Sequence, residues 1–166
     1  VERFAPYITS QYEIINQEGM AENLMIETGD FSIFELDYLA GGAPLLENEI
    51  ALSYLIADQL NKKVGDKIGI IIDDKERQML ITGVYQDITD GGKTAKANIE
   101  ADLSSAAWYT INLDISGNIS EKIAEYKANF KDVKITDPEE YFQQTFKNTI
   151  DQLKLLTFSS LLIVVL

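Results

Sequence analysis

The most distinctive chemical signal in this chain is a short glycine-rich segment that ends in lysine and threonine. Residues 90–94 (DGGKT) share the Gly-Lys-Thr ending of phosphate-binding loops, in which backbone amides and a lysine hold phosphate groups. That motif also requires a glycine five positions before Gly92, where this chain has Asp87. No cap or apolar face predicts a helix after Lys93. We therefore predict a solvated loop here and not a nucleotide site.

Acidic side chains are the other group that could do chemistry. The pairs Asp73/Asp74 and Asp87/Asp90 lack the alternating ligands and the twelfth-position glutamate of a calcium-binding loop. A carboxylate-based hydrolase needs two acids at a defined separation in a cleft, and the sequence singles out no such pair. We predict no catalytic residue, no metal site and no cofactor.

The composition excludes several function classes. The chain has no cysteine and no histidine, which excludes disulfides, thiol nucleophiles, the usual zinc sites and imidazole as a catalytic base. Its 27 acidic and 14 basic residues give a net charge of -13, so nucleic acid is not a predicted partner. A cationic partner such as a basic peptide fits this charge. We predict a binding domain and not an enzyme.

Hydrophobic periodicity predicts many strands and few helices. The pattern favours strands at 20–27, 31–39, 49–52, 67–72, 77–86 and 108–115. For residues 1–17, which Pro6 interrupts, a short helix and a strand both fit. Ser53 is a good N-cap for a helix over 54–61 with Leu55, Ile56 and Leu60 facing inward.

The second half of the chain contains a predicted β-α-β unit and a long helix. The strand at 108–115 is followed by a helix over 121–130, capped by Ser120, and by a strand at 133–136. Asp137 and Pro138 then form a strong helix start, and an apolar stripe continues to the end of the sequence. Residues 155–166 carry no charge, but a bilayer-spanning helix needs about 20 residues. These residues are therefore either the start of a truncated span or a buried terminal element.

The polar segment 87–98 is too long to be a simple turn, and we predict that it contacts a partner. A mobile loop without a function is the alternative. The candidate contact residues are Asp87, Asp90, Gly91, Gly92, Lys93 and Thr94.

Several segments together resemble the FtsX-like (MacB-like) ABC permeases. The residues that carry the resemblance are Glu49–Leu60, Val64–Ile68 and the strand ending Ile81–Val84, with Gly41-Gly42 before them. Residues 85–94 look like the continuation found in Gram-positive members. The resemblance covers essentially the whole chain in order. In this family these segments lie in the extracytoplasmic domain between the first and second membrane helices.

The resemblance implies an α+β fold of two lobes. It places a β-rich lobe within about 40–107 and a porter-like β-α-β lobe that consists of about 108–136 and the N-terminal strands. Residues 1–154 would form the extracytoplasmic domain. A C-terminal stalk helix would enter the membrane, with 155–166 as the start of a truncated transmembrane helix.

The resemblance also implies a function at the outer face of the cell membrane. The domain would bind partners and couple motion in a permease of the exporter or mechanotransmission type, for example in efflux of antimicrobial peptides or drugs. Its expected partners are a separate cytosolic ATPase subunit, a second or paired permease, an envelope adaptor protein and a cationic peptide. The alternative is a stand-alone secreted or lipid-anchored ligand-binding module.

Overall fold

The computed structural model describes residues 1–16, 19–87, 89–101, 103–140, 143, 147, 150–152 and 154. The strands are β1 (Arg3–Ile15), β2 (Ala21–Thr28), β3 (Tyr38–Gly41), β4 (Glu49–Ser53), β5 (Lys67–Ile72), β6 (Lys75–Tyr85), β7 (Thr94–Ala97) and β8 (Ala106–Asp114), and the helices are α1 (Tyr54–Gln59) and α2 (Ile119–Asn129). The chain divides into two compact units, Val1–Asp114 and Ile115–Leu166. All eight of these strands lie in the first unit. The predicted α+β class is confirmed in its coarse form, a sheet-rich domain with few helices.

Six of the strands form a sheet that closes on itself. The order is β2-β7-β4-β6-β5-β1, and β1 pairs again with β2, so each of these strands has a neighbour on both sides. We call this set the closed sheet. β3 adds to β6, and β8 adds to the first half of β1. Closure satisfies backbone hydrogen bonds that an open sheet would leave at its edges.

The main hydrophobic core is made by the closed sheet and α1. Its largest fully buried apolar side chains are Ile14, Leu24, Ile26, Ile50, Leu52, Ile70, Met79 and Ile81. From α1, Ile56 and Ala57 are buried, and Leu60 follows at the C-cap. The predicted inward position of Leu55 is wrong, because this side chain lies beside Gly92 and remains partly exposed.

The N-terminal segment is a strand, which decides between the two predicted alternatives. β1 runs through Pro6 without a break. Pro6 lies where only β8 flanks β1, since pairing with β2 starts at Ile8. A strand that is paired on one side tolerates proline, because the missing N–H removes no ladder bond on the open side.

The hairpin predicted over 67–86 is confirmed as β5 and β6. It turns at Asp73 and Asp74, whose φ values of 52° and 58° are those of a type I′ turn. Strand β4, the Ser53 cap and α1 are also confirmed.

The predicted strand over 31–39 is wrong for most of its length. Residues 31–37 form turns and irregular structure, and only Tyr38 and Leu39 of this range lie in β3. Asp30 accepts hydrogen bonds from the Ser32 amide (2.9 Å) and hydroxyl (2.6 Å), which bends the chain. Phe31 is then free to stack on Tyr7 of β1, with ring centroids 5.0 Å apart.

A close backbone approach fixes the end of β3. Gly41 has φ +70°, and a Cβ atom there would lie 2.0 Å from the carbonyl oxygen of Thr82. Only glycine fits this position without moving the backbone. The glycine at position 41 is therefore a packing requirement at the end of β3.

Two predictions for the second unit are corrected. The N-cap of α2 is Asn118, whose side-chain oxygen accepts from the Glu121 amide at 3.3 Å, and not Ser120. Residues 133–136 do not form the predicted strand, since the chain after α2 is turn and irregular structure up to Asp137. Asparagine is as good a cap as serine, and the helix begins two residues earlier than predicted.

The predicted helix start at Asp137 is present. Its carboxylate accepts from the Glu139 amide at 2.9 Å, and residues 138–140 are helical. Residues 155–166, with the predicted membrane helix, lie outside the described residues. Within the part of the chain that is described, no helix is long and apolar enough to cross a membrane. The two-lobe division and the stalk remain predictions.

Candidate functional site

The polar segment predicted as a loop over 87–98 contains a strand, because residues 89–92 form a turn and residues 94–97 form β7. We call the six candidate contact residues and the turn that they form the contact loop. The chain leaves β6 at Tyr85, makes a 3₁₀ turn at Thr89–Gly92 and enters β7 at Thr94. Asp90 and Gly91 both have left-handed backbone conformations. A strand follows the Gly-Lys-Thr sequence where a phosphate-binding loop would need a helix N-terminus. The local structure thus agrees with the rejection of a nucleotide site.

Asp87 holds the loop together from its base. Its Oδ1 accepts from the Thr89 amide at 2.8 Å and from the Thr89 hydroxyl at 2.7 Å, and its Oδ2 accepts from the Thr94 hydroxyl at 2.6 Å. Burial alone would raise the pKa of Asp87. The hydrogen bonds from Thr94 and Thr89, with Lys96 nearby, outweigh burial and lower that pKa. Asp87 is thus a carboxylate at neutral pH.

Tyr85 and Thr94 extend this network into the core. The two hydroxyl oxygens are 2.8 Å apart. Because Thr94 gives its single hydroxyl hydrogen to Asp87, Tyr85 must be the donor to Thr94. Tyr85 is buried, and burial strongly raises the pKa of its hydroxyl. The phenol therefore stays protonated and can keep donating.

Ser53 ties the loop to α1. Its hydroxyl donates to the carbonyl of Gly92 at 2.6 Å and accepts from the Ile56 amide at 3.4 Å as the N-cap. The Thr94 amide lies 3.5 Å from the same oxygen. A Cβ atom on Gly92, which has φ +77°, would come within 3.1 Å of the Asp87 carbonyl oxygen. One serine thus joins β4, α1 and the loop.

Lys96 and Glu27 form an ion pair between β7 and β2, next to the loop base. Their side chains are only 16% and 23% exposed. The Lys96 ammonium also lies 5.1 Å from the ring centre of Phe31 and 5.3 Å from that of Tyr85. Cation–π contacts of this kind are favourable when partly desolvated. Lys96 is therefore fully engaged within the fold.

The structure divides the six predicted contact residues into two groups. Asp90, Gly91 and Lys93 are exposed at the surface of the loop. Asp87 and Thr94 are half-buried and Gly92 is buried, so these three serve the loop's own structure. Three residues that support the loop were not predicted from the sequence: Tyr85, Lys96 and Glu27. The alternation Thr-Ala-Lys-Ala at 94–97 was the available signal for β7.

The arrangement supports a structural role for the loop base. Each polar side chain there already has a partner, and the network holds Asp90 and Lys93 at fixed positions near the N-terminus of α1. A surface whose backbone is fixed before binding loses less conformational entropy when a partner docks. The loop is therefore suited to recognition.

Comparisons with known proteins identify similar folds. No family model matches the chain, and no curated protein matches it significantly. The periplasmic region of MacB from Actinobacillus actinomycetemcomitans is similar with a TM-score of 0.54 and 16% identity, over 89% of this chain and 77% of that region.

A domain of a protein assigned as a permease from Porphyromonas gingivalis is similar with a TM-score of 0.53 and 14% identity. The match covers 78% of this chain, which spans 64% of the length of that domain. At these identities the likeness concerns the fold. The resemblance found in the sequence is thereby confirmed at that level: this chain has a MacB-like extracytoplasmic domain fold.

Proposed function

We propose that this chain is the extracytoplasmic domain of an ABC-transporter permease, in which it binds a partner and passes on motion driven by a separate cytosolic ATPase. The observation that carries the proposal is the MacB-like fold, which extends over 89% of the chain. The sequence resemblance over the segments from Glu49 to Val84 agrees with it. The proposed location is the outer face of the cell membrane.

The contact loop supports partner binding. Asp90 and Lys93 present one negative and one positive side chain on a backbone that is fixed by Asp87 and Ser53. Neither exposed side chain forms an ion pair with the described residues. They are therefore available to a partner with complementary charges.

Strand β1 supports the coupling of motion. It is 13 residues long, and it pairs in turn with β8, β2 and β5. A displacement near Arg3 would be carried by continuous backbone hydrogen bonds into the closed sheet. A well-packed sheet moves as a unit and does not deform gradually.

The placement outside the membrane can be tested by labelling. Because the chain has no cysteine, Lys93→Cys introduces a single reactive position into this domain at an exposed site. In intact cells that express the full permease, made free of other exposed cysteines, a membrane-impermeant maleimide should label this residue. Labelling that requires cell lysis would contradict the proposal.

The role of the loop can be tested in the full permease with its ATPase. The double variant Asp90→Asn/Lys93→Gln should lower transporter-dependent resistance severalfold, because it removes both exposed charges while asparagine tolerates the left-handed backbone at position 90. The matched control is Lys131→Gln/Asp132→Asn, a second exposed acid–lysine pair. Equal resistance in both variants would exclude the loop as the contact surface.

A further inference from the structure

The turn at Leu45–Leu46 presents two apolar side chains to solvent. Leu45 is 57% exposed and Leu46 is 60% exposed. They follow Pro44, which is fully buried, and precede β4. Scattered apolar side chains are normal on protein surfaces, whereas adjacent ones form a contiguous apolar patch. We call these two residues the leucine turn.

The leucine turn is held by hydrogen bonds on both sides. The Glu49 carboxylate oxygen Oε2 accepts from the amides of Leu45 and Leu46 at 2.7 and 2.9 Å. The Glu49 amide donates to the Leu46 carbonyl at 3.0 Å, and the Asn98 side chain donates to the Leu45 carbonyl at 2.8 Å. The backbone polar groups of both leucines are thus satisfied. The exposure of the side chains is a fixed feature of the fold.

An open groove of about 740 Å³ begins beside this turn. It contains five carboxylates and one guanidinium, from Glu13, Glu47, Asp73, Asp74, Glu100 and Arg77. Arg77 is 3.6 Å from Asp73, and the other four acids form no ion pair with the described residues. Glu47, which lines the groove, directly follows Leu46, and Asn98, which bonds to the Leu45 carbonyl, directly precedes the groove residue Ile99. The leucine turn therefore borders the groove.

We infer that the leucine turn docks a basic segment of a partner protein that carries apolar side chains next to its lysines or arginines. The inference deepens the proposed function and rests on it, since it adds a second contact surface to the contact loop and names the chemistry of the partner. The leucines supply apolar contact, and the groove supplies charge complementarity. A second copy of this acidic chain would bring like charges into the groove. Anionic lipid headgroups would be repelled in the same way.

The test uses the isolated chain and a labelled peptide of alternating leucine and lysine, with fluorescence anisotropy as the readout. The expected result is saturable binding that weakens with added salt, because the charge contribution is screened. Two comparison peptides share its length: one alternates leucine with glutamate, the other serine with lysine. Both should bind at least about tenfold more weakly, because each lacks one of the two contacts.

Two variants locate the site. Leu45→Ser/Leu46→Ser removes the apolar contact, and Glu47→Gln/Glu100→Gln removes two groove charges at nearly constant shape. Each should weaken binding of the leucine–lysine peptide by about tenfold or more. Leu39→Ser is the control, because Leu39 is 59% exposed but lies on β3 outside the turn. Unchanged circular dichroism shows that each variant remains folded.

Several results would overturn the inference. They are absence of peptide binding, equal binding of all three peptides, or binding that the turn and groove variants leave unchanged. A dimer that Leu45→Ser/Leu46→Ser dissociates would instead identify a second copy as the occupant. Binding to zwitterionic vesicles that the same variant abolishes would identify a lipid surface. Because no transporter is present, these failures leave the labelling test of the permease assignment unaffected.

Discussion

The closed sheet and strand β8 belong to one sheet but differ in how they are packed. β4 has four buried residues out of five, whereas none of the nine residues of β8 is buried. β8 contains the strand-favouring residues Trp108, Tyr109, Thr110 and Ile111, whereas β4 contains only Ile50 of this kind. The difference comes from position, because β4 has partners on both sides and β8 pairs only with β1 among the described strands. Strand-forming sequence therefore does not by itself indicate a core.

The largest contrast should come from matched isoleucine truncations. Ile81→Ala in β6 removes a side chain that is 0% exposed and should lower the free energy of unfolding by about 2–5 kcal/mol. Ile111→Ala in β8, where the side chain is 62% exposed, should lower it by less than about 0.5 kcal/mol. Urea unfolding of both variants measures the difference. Equal losses would show that β8 is as tightly packed as the closed sheet.

A smaller contrast is expected for hydroxyl removal. Ser53→Ala abolishes both the cap of α1 and the hydrogen bond to the Gly92 carbonyl. It should lower the free energy of unfolding by about 1–2 kcal/mol. Thr110→Ala in β8 is the control, with an expected change within about 0.5 kcal/mol. Thermal unfolding can compare them. A Ser53→Ala protein as stable as the control would mean that the loop does not depend on this serine.

Lowering the pH should reveal how much Asp87 contributes to the stability of the fold. Because the pKa of Asp87 is lowered in the folded state, its stabilising effect is complete above the ordinary carboxyl pKa of about 3.9 and is lost as the pH falls through its folded value. Between neutral pH and about pH 3, the free energy of unfolding should therefore fall less for Asp87→Asn than for the original protein. The measurement is the free energy of unfolding as a function of pH. Parallel curves for the two proteins would contradict the assigned hydrogen-bond network.

The smallest effect is expected at the junction with β8. Arg3 donates to Oδ2 of Asp114 from Nε at 3.0 Å and from Nη2 at 2.9 Å, and the two side chains are 57% and 37% exposed. Arg3→Ala should lower the free energy of unfolding by at most about 1 kcal/mol, and by less in high salt. Chemical unfolding at two salt concentrations would measure it. A larger loss that persists in high salt would show that β8 is held by more than this exposed pair.

Local patterns in the sequence were sufficient to predict several secondary-structure elements. The β-branched run at 67–72 and the Ser53 cap predicted β5 and α1, because hydrogen bonding and periodicity within a few residues determine them. The α+β class came from the family resemblance, which the order of such elements supports. The exposed part of the contact loop, Asp90 and Lys93, also followed from local polarity.

The remaining features depend on contacts between distant residues. β7 is only four residues long, and it is a strand because β2 and β4 lie on either side of it. The Ser53–Gly92 bond joins residues 39 positions apart in sequence. The predicted strand at 31–39 was overridden by Phe31 packing on Tyr7. Apart from the four-residue alternation at 94–97, no local pattern indicates these contacts, so sequence periodicity could not predict them.

The change of partners along β1 has a consequence for amide hydrogen exchange. Residues 8–15 are paired with β2 on one side, while residues 3–7 rely on β8 alone. Exchange occurs through local opening, and segments with fewer neighbours open at lower free energy. One continuous strand should therefore contain an internal boundary, with fast-exchanging amides before Ile8 and slow ones after it. Regular backbone geometry can thus conceal two cooperative units within a single element.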